Sequence, residues 1–211
     1  MKTNVLIALL ASDPLPSRPP AWHVPMAATV ALTLSLGLVA GGWGLHADLP
    51  GLLASASYQL KTVWLLGLAL SSGWLLWKAA RPAQQDGYGM HGVGVFLMIM
   101  ACTGAYNLWQ ADPANRLALL MGQSWWSCPL SIALIALPWQ AVWLLYLRHM
   151  APTRLTWSGA SAGFLSGALA TGLYSLHCTE TSYAFFSVWY VAGMALSTAV
   201  GAVLGLRYLR W

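Results

Sequence analysis

The residues of this chain that could do chemistry gather in one short stretch, LYSLHCTETSYAFF. His177 and Cys178 are adjacent, and Glu180, the chain's single glutamate, follows two residues later. A second thiol, Cys128, stands in WWSCPL, and a third, Cys102, in IMACTGA. Imidazole and thiolate are soft enough to hold Cu(I) or Zn(II). Two thiols close in space can form a disulfide, provided their Cα atoms come within roughly 4.4–6.8 Å. An imidazole and a carboxylate can also do no more than bond the backbone of a loop. A metal site, a redox switch and an ordinary loop therefore all fit the letters. His177, Cys178 and Cys128 are the set a metal would use, with His46 as a further donor. No C-x-x-C or H-x-x-x-H spacing supports such a site. The sequence contains no nucleophile elbow, phosphate loop, HExxH or paired carboxylates, so nothing in it calls for an enzyme or a cofactor.

The elements that must position these groups are membrane helices. Charged residues make up 7% of the chain, against roughly 25% in soluble domains. Mean hydropathy is +0.62. Apolar runs recur near the ~20 residues that cross ~30 Å of hydrocarbon, and no strand alternation of a membrane barrel is present. The pattern predicts an all-α integral membrane bundle of six transmembrane helices with short loops. The spans are Val24–Leu45, Tyr58–Trp77, Val93–Trp109, Pro129–Leu147, Trp157–Leu176 and Phe185–Leu206. Residues 1–22 form an N-terminal segment, and 23–211 the six-helix domain. Trp43, Trp77, Trp109, Trp125, Trp126 and Trp157 fall near span ends, where an indole buries its ring and keeps its N–H wet.

Charge sets the orientation. Six spans put both termini on one side, with Lys2, Arg18, Lys78, Arg81, Arg148, Arg154, Arg207 and Arg210. The other side holds Lys61, at a span start, and Arg116, together with the acids Asp48, Asp112 and Glu180. Positive charge collects in cytoplasmic loops, so both termini are expected in the cytoplasm. The net charge of +5 then reports topology and is no argument for direct nucleic-acid binding. The opening MKTNVLIALLAS is similar to a small secretory signal peptide, but its apolar core is short, and cleavage would leave a new N-terminus against the charge bias.

Within the N-terminal segment, Leu6, Leu9 and Leu10 share one helical face, and Pro14, Pro16, Pro19 and Pro20 follow as a stiff spacer. So short a helix needs a surface: the membrane, its own bundle, or the groove of a soluble partner. In the spans, Gly159, Gly163 and Gly167 recur every four residues, as do Gly201 and Gly205, a spacing that lets helix backbones approach closely. Gln140 is expected to bond backbone freed by Pro138. Cys102 is expected to be a buried packing thiol. Cys128 and Cys178 fall at the external ends of two consecutive antiparallel helices, at the membrane edge, as a thiol pair or as two unrelated small residues.

Read end to end, the chain resembles the negative regulator of sigma F (NrsF-like) family of bacterial six-span membrane anti-sigma factors. The likeness is carried by the opening MKTNVLIALLASDPLPSRPP, by SCPL at the fourth span, LHC after the fifth, WYVAG in the sixth and the ending GLRYLRW. The resemblance implies a multi-pass protein of the inner membrane that holds an extracytoplasmic-function sigma factor on the cytoplasmic side and releases it on a stress signal. It implies that Cys128 and Cys178 are the regulatory thiols, and it makes Leu6, Leu9 and Leu10 candidates for sigma-factor docking. The competing expectation is a small redox- or metal-handling membrane protein without a sigma partner.

Overall fold

The computed structural model describes residues 3, 7, 23–81 and 88–210. Leu6, Leu9 and Leu10 lie outside the described residues. Helices α1 (His23–Trp43), α3 (Ala56–Ala79), α4 (Tyr88–Gln110), α6 (Ser127–Met150), α7 (Leu155–Tyr174) and α8 (Tyr183–Tyr208) build the bundle. Two short helices, α2 (Leu49–Ala54) and α5 (Arg116–Met121), sit in the connections. Among the described residues there are no strands.

Local chemistry starts and stops these elements. Asp48 accepts from Gly51 N at 3.0 Å and caps α2. Ser55 and Ser182 cap α3 and α8 through Tyr58 N and Phe185 N, each at 3.4 Å. These side chains satisfy amide donors that the first helical turn leaves without partners. At the end of α6, Ala151 turns left-handed (φ 47°), and Pro152 follows.

Helix α7 runs antiparallel to both α3 and α8. Ser158, near the start of α7, donates to Ala79 O at the end of α3 (3.1 Å), whereas Ser175, just past the end of α7, meets the Tyr58 hydroxyl near the start of α3 (3.3 Å). The α7–α8 pair is the tightest in the bundle, and the four-residue glycine spacing is its cause. A Cβ on Gly201 would lie 2.7 Å from Gly163 Cα, and one on Gly205 would lie 2.8 Å from Gly159 Cα. Backbone meets backbone there, as the spacing implied. Gln140 behaves differently from expectation. Its Nε2 donates across the interface to Ser197 O on α8 (3.0 Å); it does not serve its own helix.

Five helices, α1, α3, α4, α6 and α8, are long and apolar enough to cross a membrane. The remaining long helix, α7, covers the expected fifth span. Its 20 residues are rich in glycine, alanine, serine and threonine. It lies at the centre of the bundle, with Ser158, Ser161, Ser166 and Thr171 all buried. Ser161, Ser166 and Thr171 donate to carbonyls of the preceding turn at 2.7–2.8 Å. The small and hydroxyl residues of α7 suit this burial, because most of the helix packs against α3, α6 and α8. By contrast, Leu70 on α3, Met98 on α4 and Val203 on α8 point outward, as lipid-facing side chains must.

Candidate functional site

One end of the bundle carries the groups that can do chemistry. The start of α3, the start of α6, the end of α7 and the start of α8 meet there. Cys128 lies in the first turn of α6. Cys178 N bonds back to Tyr174 O (3.1 Å), which holds the residue against the end of α7. Both thiols are free and buried, at 0% and 4% exposure. They share one apolar cluster with Ile132, Tyr174, Phe185, Phe186 and Tyr190. The Tyr174 phenol lies beside Cys128, and the Tyr190 phenol beside Cys178. Tyr190 Oη is buried without a partner of hydrogen-bonding geometry. The thiols stand at these helix ends and are buried there. Rings from α8 and from the end of α7 close over them.

Two segments of π-helix border this cluster. Val39–Trp43 ends α1, and Phe186–Tyr190 interrupts α8 near its start. Val39, Phe186 and Tyr190 are cluster members, and Trp43 packs against it. A π-turn inserts a residue into the helical ladder and re-aims the side chains around it; such turns concentrate at functional sites. In α8 the result is that Phe185, Phe186 and Tyr190 all turn inward.

Lys61 completes the cluster from α3. It is 4% exposed, and its Nζ stands 3.6 Å over the Phe186 ring, with Tyr58 and Tyr190 at 5.5 and 5.6 Å. Lys61 stands near the start of its helix, as expected, but it is buried there. It lies six residues beyond the Ser55 cap, and the π-turned rings of α8 fold over it. The signal for it in sequence was available: an ionisable side chain inside an apolar span is costly and marks a site.

His177 and Glu180, the other two reactive types in the stretch, hold loops in place. His177 Nδ1 bonds Gly44 O (2.9 Å), and His46 N donates to Leu176 O (3.1 Å). These two bonds tie the loop after α1 to the loop after α7. Gly44 has φ 81°, a backbone conformation that side-chain-bearing residues rarely adopt. Glu180 Oε1 accepts from Gln123 N (2.8 Å), and a Cβ on Gly122 would lie 2.8 Å from that oxygen. The glycine, at φ 55°, admits the carboxylate. Trp189 Nε1 donates to Leu120 O (2.8 Å), fastening the end of α5 to α8. Together these bonds seal the thiol cluster beneath three loops.

The described residues contain no group of three or more His, Cys, Asp or Glu side chains able to hold a metal ion. Cys128 and Cys178 come together, but His177 is engaged with Gly44. Cys102 is exposed on the outer side of α4; the expected burial fails because α4 lies at the edge of the bundle and that face meets no other helix. The opposite end of the bundle is basic, with Lys78, Arg81, Arg148, Arg154, Arg207 and Arg210 all at or beyond helix ends there. Two free thiols, a lysine and three phenols thus pack together in and around one buried, largely apolar cluster.

Comparison with known proteins converges on one family. Residues 10–211 match the family described as negative regulator of sigma F, NrsF. Over the full length of both chains, the sequence is 33% identical to the probable anti-sigma-F factor NrsF of Azospira oryzae. It is 32% identical, again over the full length of both chains, to the anti-sigma-F factor NrsF of Caulobacter vibrioides. No solved structure matches. The chain belongs to the negative regulator of sigma F family.

Proposed function

We propose that this protein is a membrane-bound anti-sigma factor. It sequesters an extracytoplasmic-function sigma factor at the bacterial inner membrane and releases it when a periplasmic stress signal changes the state of Cys128 and Cys178. The observation that carries this reading is the full-length likeness to two anti-sigma-F factors. Three further features support it. Six helices of spanning length would give an even number of crossings, with α7 packed mainly against α3, α6 and α8. The basic end of the bundle is then cytoplasmic, and the thiol chamber lies at the opposite, periplasmic end. The N-terminal segment carries Leu6, Leu9 and Leu10 at helical spacing in the sequence, and on this reading they dock the sigma factor on the cytoplasmic side. The protein acts on transcription through this partner and does not itself touch DNA.

Affinity purification of the full-length protein from membranes tests the reading. An extracytoplasmic-function sigma factor is expected to co-purify at near-equal amount, and to be lost from the Leu6→Asp, Leu9→Asp double variant. Recovery of the intact protein with no sigma factor would remove the proposal and favour a redox- or metal-handling protein.

A further inference from the structure

Helix α6 carries a stripe that its neighbours leave open. Leu137, Ala141, Leu144, Leu145 and Arg148 recur along one side at helical spacing, and with Leu204 and Tyr208 of α8 they line a groove of about 350 Å³. That lies within the roughly 300–1,000 Å³ of ligand pockets. Leu137 and Leu145 are exposed in it. Polar groups that could hold a headgroup stand at one end only. Arg148, in the last turn of α6, and Tyr208, in the last turn of α8, form the mouth at the basic end of the bundle. Deeper in, Gln140 also lines the wall, but its Nε2 already donates to Ser197 O (3.0 Å). The groove has the length of one leaflet. Arg148 lies eleven residues beyond Leu137, about 16 Å along the axis, and half of a ~30 Å hydrocarbon core is about 15 Å. Leu137 stands near the middle of this 24-residue helix, so the groove runs from the midplane to the headgroup layer. Charge is one-sided as well. The acids among the described residues, Asp48, Asp112 and Glu180, lie at the opposite end, so Arg148 meets no carboxylate among them.

We propose that the α6–α8 groove is a binding site for an anionic phospholipid of the bilayer. One acyl chain lies along Leu137, Ala141, Leu144 and Leu145, and the phosphate is held at the mouth by the Arg148 guanidinium and the Tyr208 hydroxyl. A guanidinium donates two parallel hydrogen bonds to phosphate oxygens, and basic pockets between membrane helices take anionic headgroups. A zwitterionic lipid fills the same groove without the net charge that Arg148 selects. The site goes beyond the sigma-factor reading. It needs the basic end to lie at a headgroup layer, and it stands whether or not a sigma factor binds.

The test uses the full-length protein in phosphatidylcholine nanodiscs holding a small proportion of phosphatidylglycerol with a photoreactive diazirine in its acyl chain. After photolysis, peptide mapping reads the label along each helix. The label is expected to concentrate on Leu137–Leu145 and Leu204, about fivefold above that left there by phosphatidylcholine carrying the same diazirine. Arg148→Gln is expected to bring phosphatidylglycerol down to the phosphatidylcholine level. Arg81→Gln removes the same charge at the same end but outside the groove, and is expected to leave the preference intact. Ala141→Trp, at an exposed position, fills the groove with every charge in place and is expected to lower its labelling by both lipids. Equal labelling of the groove by the two lipids overturns the proposal and leaves unselective boundary lipid. Equal loss in Arg148→Gln and Arg81→Gln overturns it in favour of bulk charge. Undiminished labelling in Ala141→Trp overturns it too, and so does a groove that takes no label while the outward faces of α3 and α4 are labelled, which would give the groove to a protein segment.

Discussion

At the residue scale, Cys128 and Cys178 are held in one buried cluster by two different helices, α6 and the end of α7. Such a pair acts as a unit. Cys128→Ser and Cys178→Ser are each expected to abolish the transcriptional response to the stimulus, and the double variant should match either single one, since two members of one coupled unit are not additive. Cys102→Ser, on the outer face of α4, should leave the response intact. A reporter driven by the sigma factor, read with membrane levels of each variant, checks this; a retained response in the Cys128 and Cys178 variants would reduce them to packing residues. The unusual content of LHCTET was readable in the sequence, and so was the proximity of two thiols at the ends of neighbouring helices. Their burial was not. It depends on Phe185, Phe186 and Tyr190 turning inward together, which one π-turn in α8 produces. Nothing in local periodicity announces such a turn. The burial of Lys61 was not readable for the same reason, because the rings that cover it come from a helix 125 residues later in the chain.

At the element scale, α7 and α8 form the rigid spine against which the rest of the bundle packs. Gly159 and Gly163 are the points of closest approach, against the backbone of Gly201 and Ser197. Gly163→Val places a branched side chain against the backbone of α8. Overpacking of this kind costs typically about 1–3 kcal/mol, and here the obstacle is main chain that cannot rotate away. A lower Tm in detergent, and loss of protein from membranes, are the expected outcomes; a Tm equal to that of the parent would show that the α7–α8 seam has slack. The seam was foreseeable from glycine spacing alone. The small residues of α7 were visible in its composition, and they suit a helix packed mainly against its neighbours. The docking face of Leu6, Leu9 and Leu10 is an element-scale expectation of a different kind. Truncating an interface anchor can cost more than ~2 kcal/mol, a factor of ~30 in affinity. Leu6→Asp with Leu9→Asp should therefore leave the sigma factor's genes on without stress, and normal repression at normal protein level would place docking elsewhere.

At the scale of the whole molecule, the account has chemistry at one end and partner binding at the other, with the helices between them as the route. The basic end is defined by Lys78, Arg81, Arg148, Arg154, Arg207 and Arg210, and their clustering is the ground for expecting that end in the cytoplasm. Reporter fusions after Arg81 and Pro152 are expected to report the cytoplasm, and fusions near Asp48, Asp112 and Glu180 the periplasm. A periplasmic signal after Arg81 would invert the scheme. Signalling then requires that the modified thiols favour one of two states of the cytoplasmic side, sigma factor held or released. A coupling of about 1–3 kcal/mol changes release by roughly 5–150-fold. The most direct measurement of this claim is the share of the sigma factor that sediments with membranes before and after a thiol oxidant, in the parent and in Cys128→Ser. The account predicts that the parent's membrane-bound share changes at least fivefold on oxidation and that Cys128→Ser does not respond. An equal change in both, or a sigma factor that never sediments with membranes containing the protein, would contradict it.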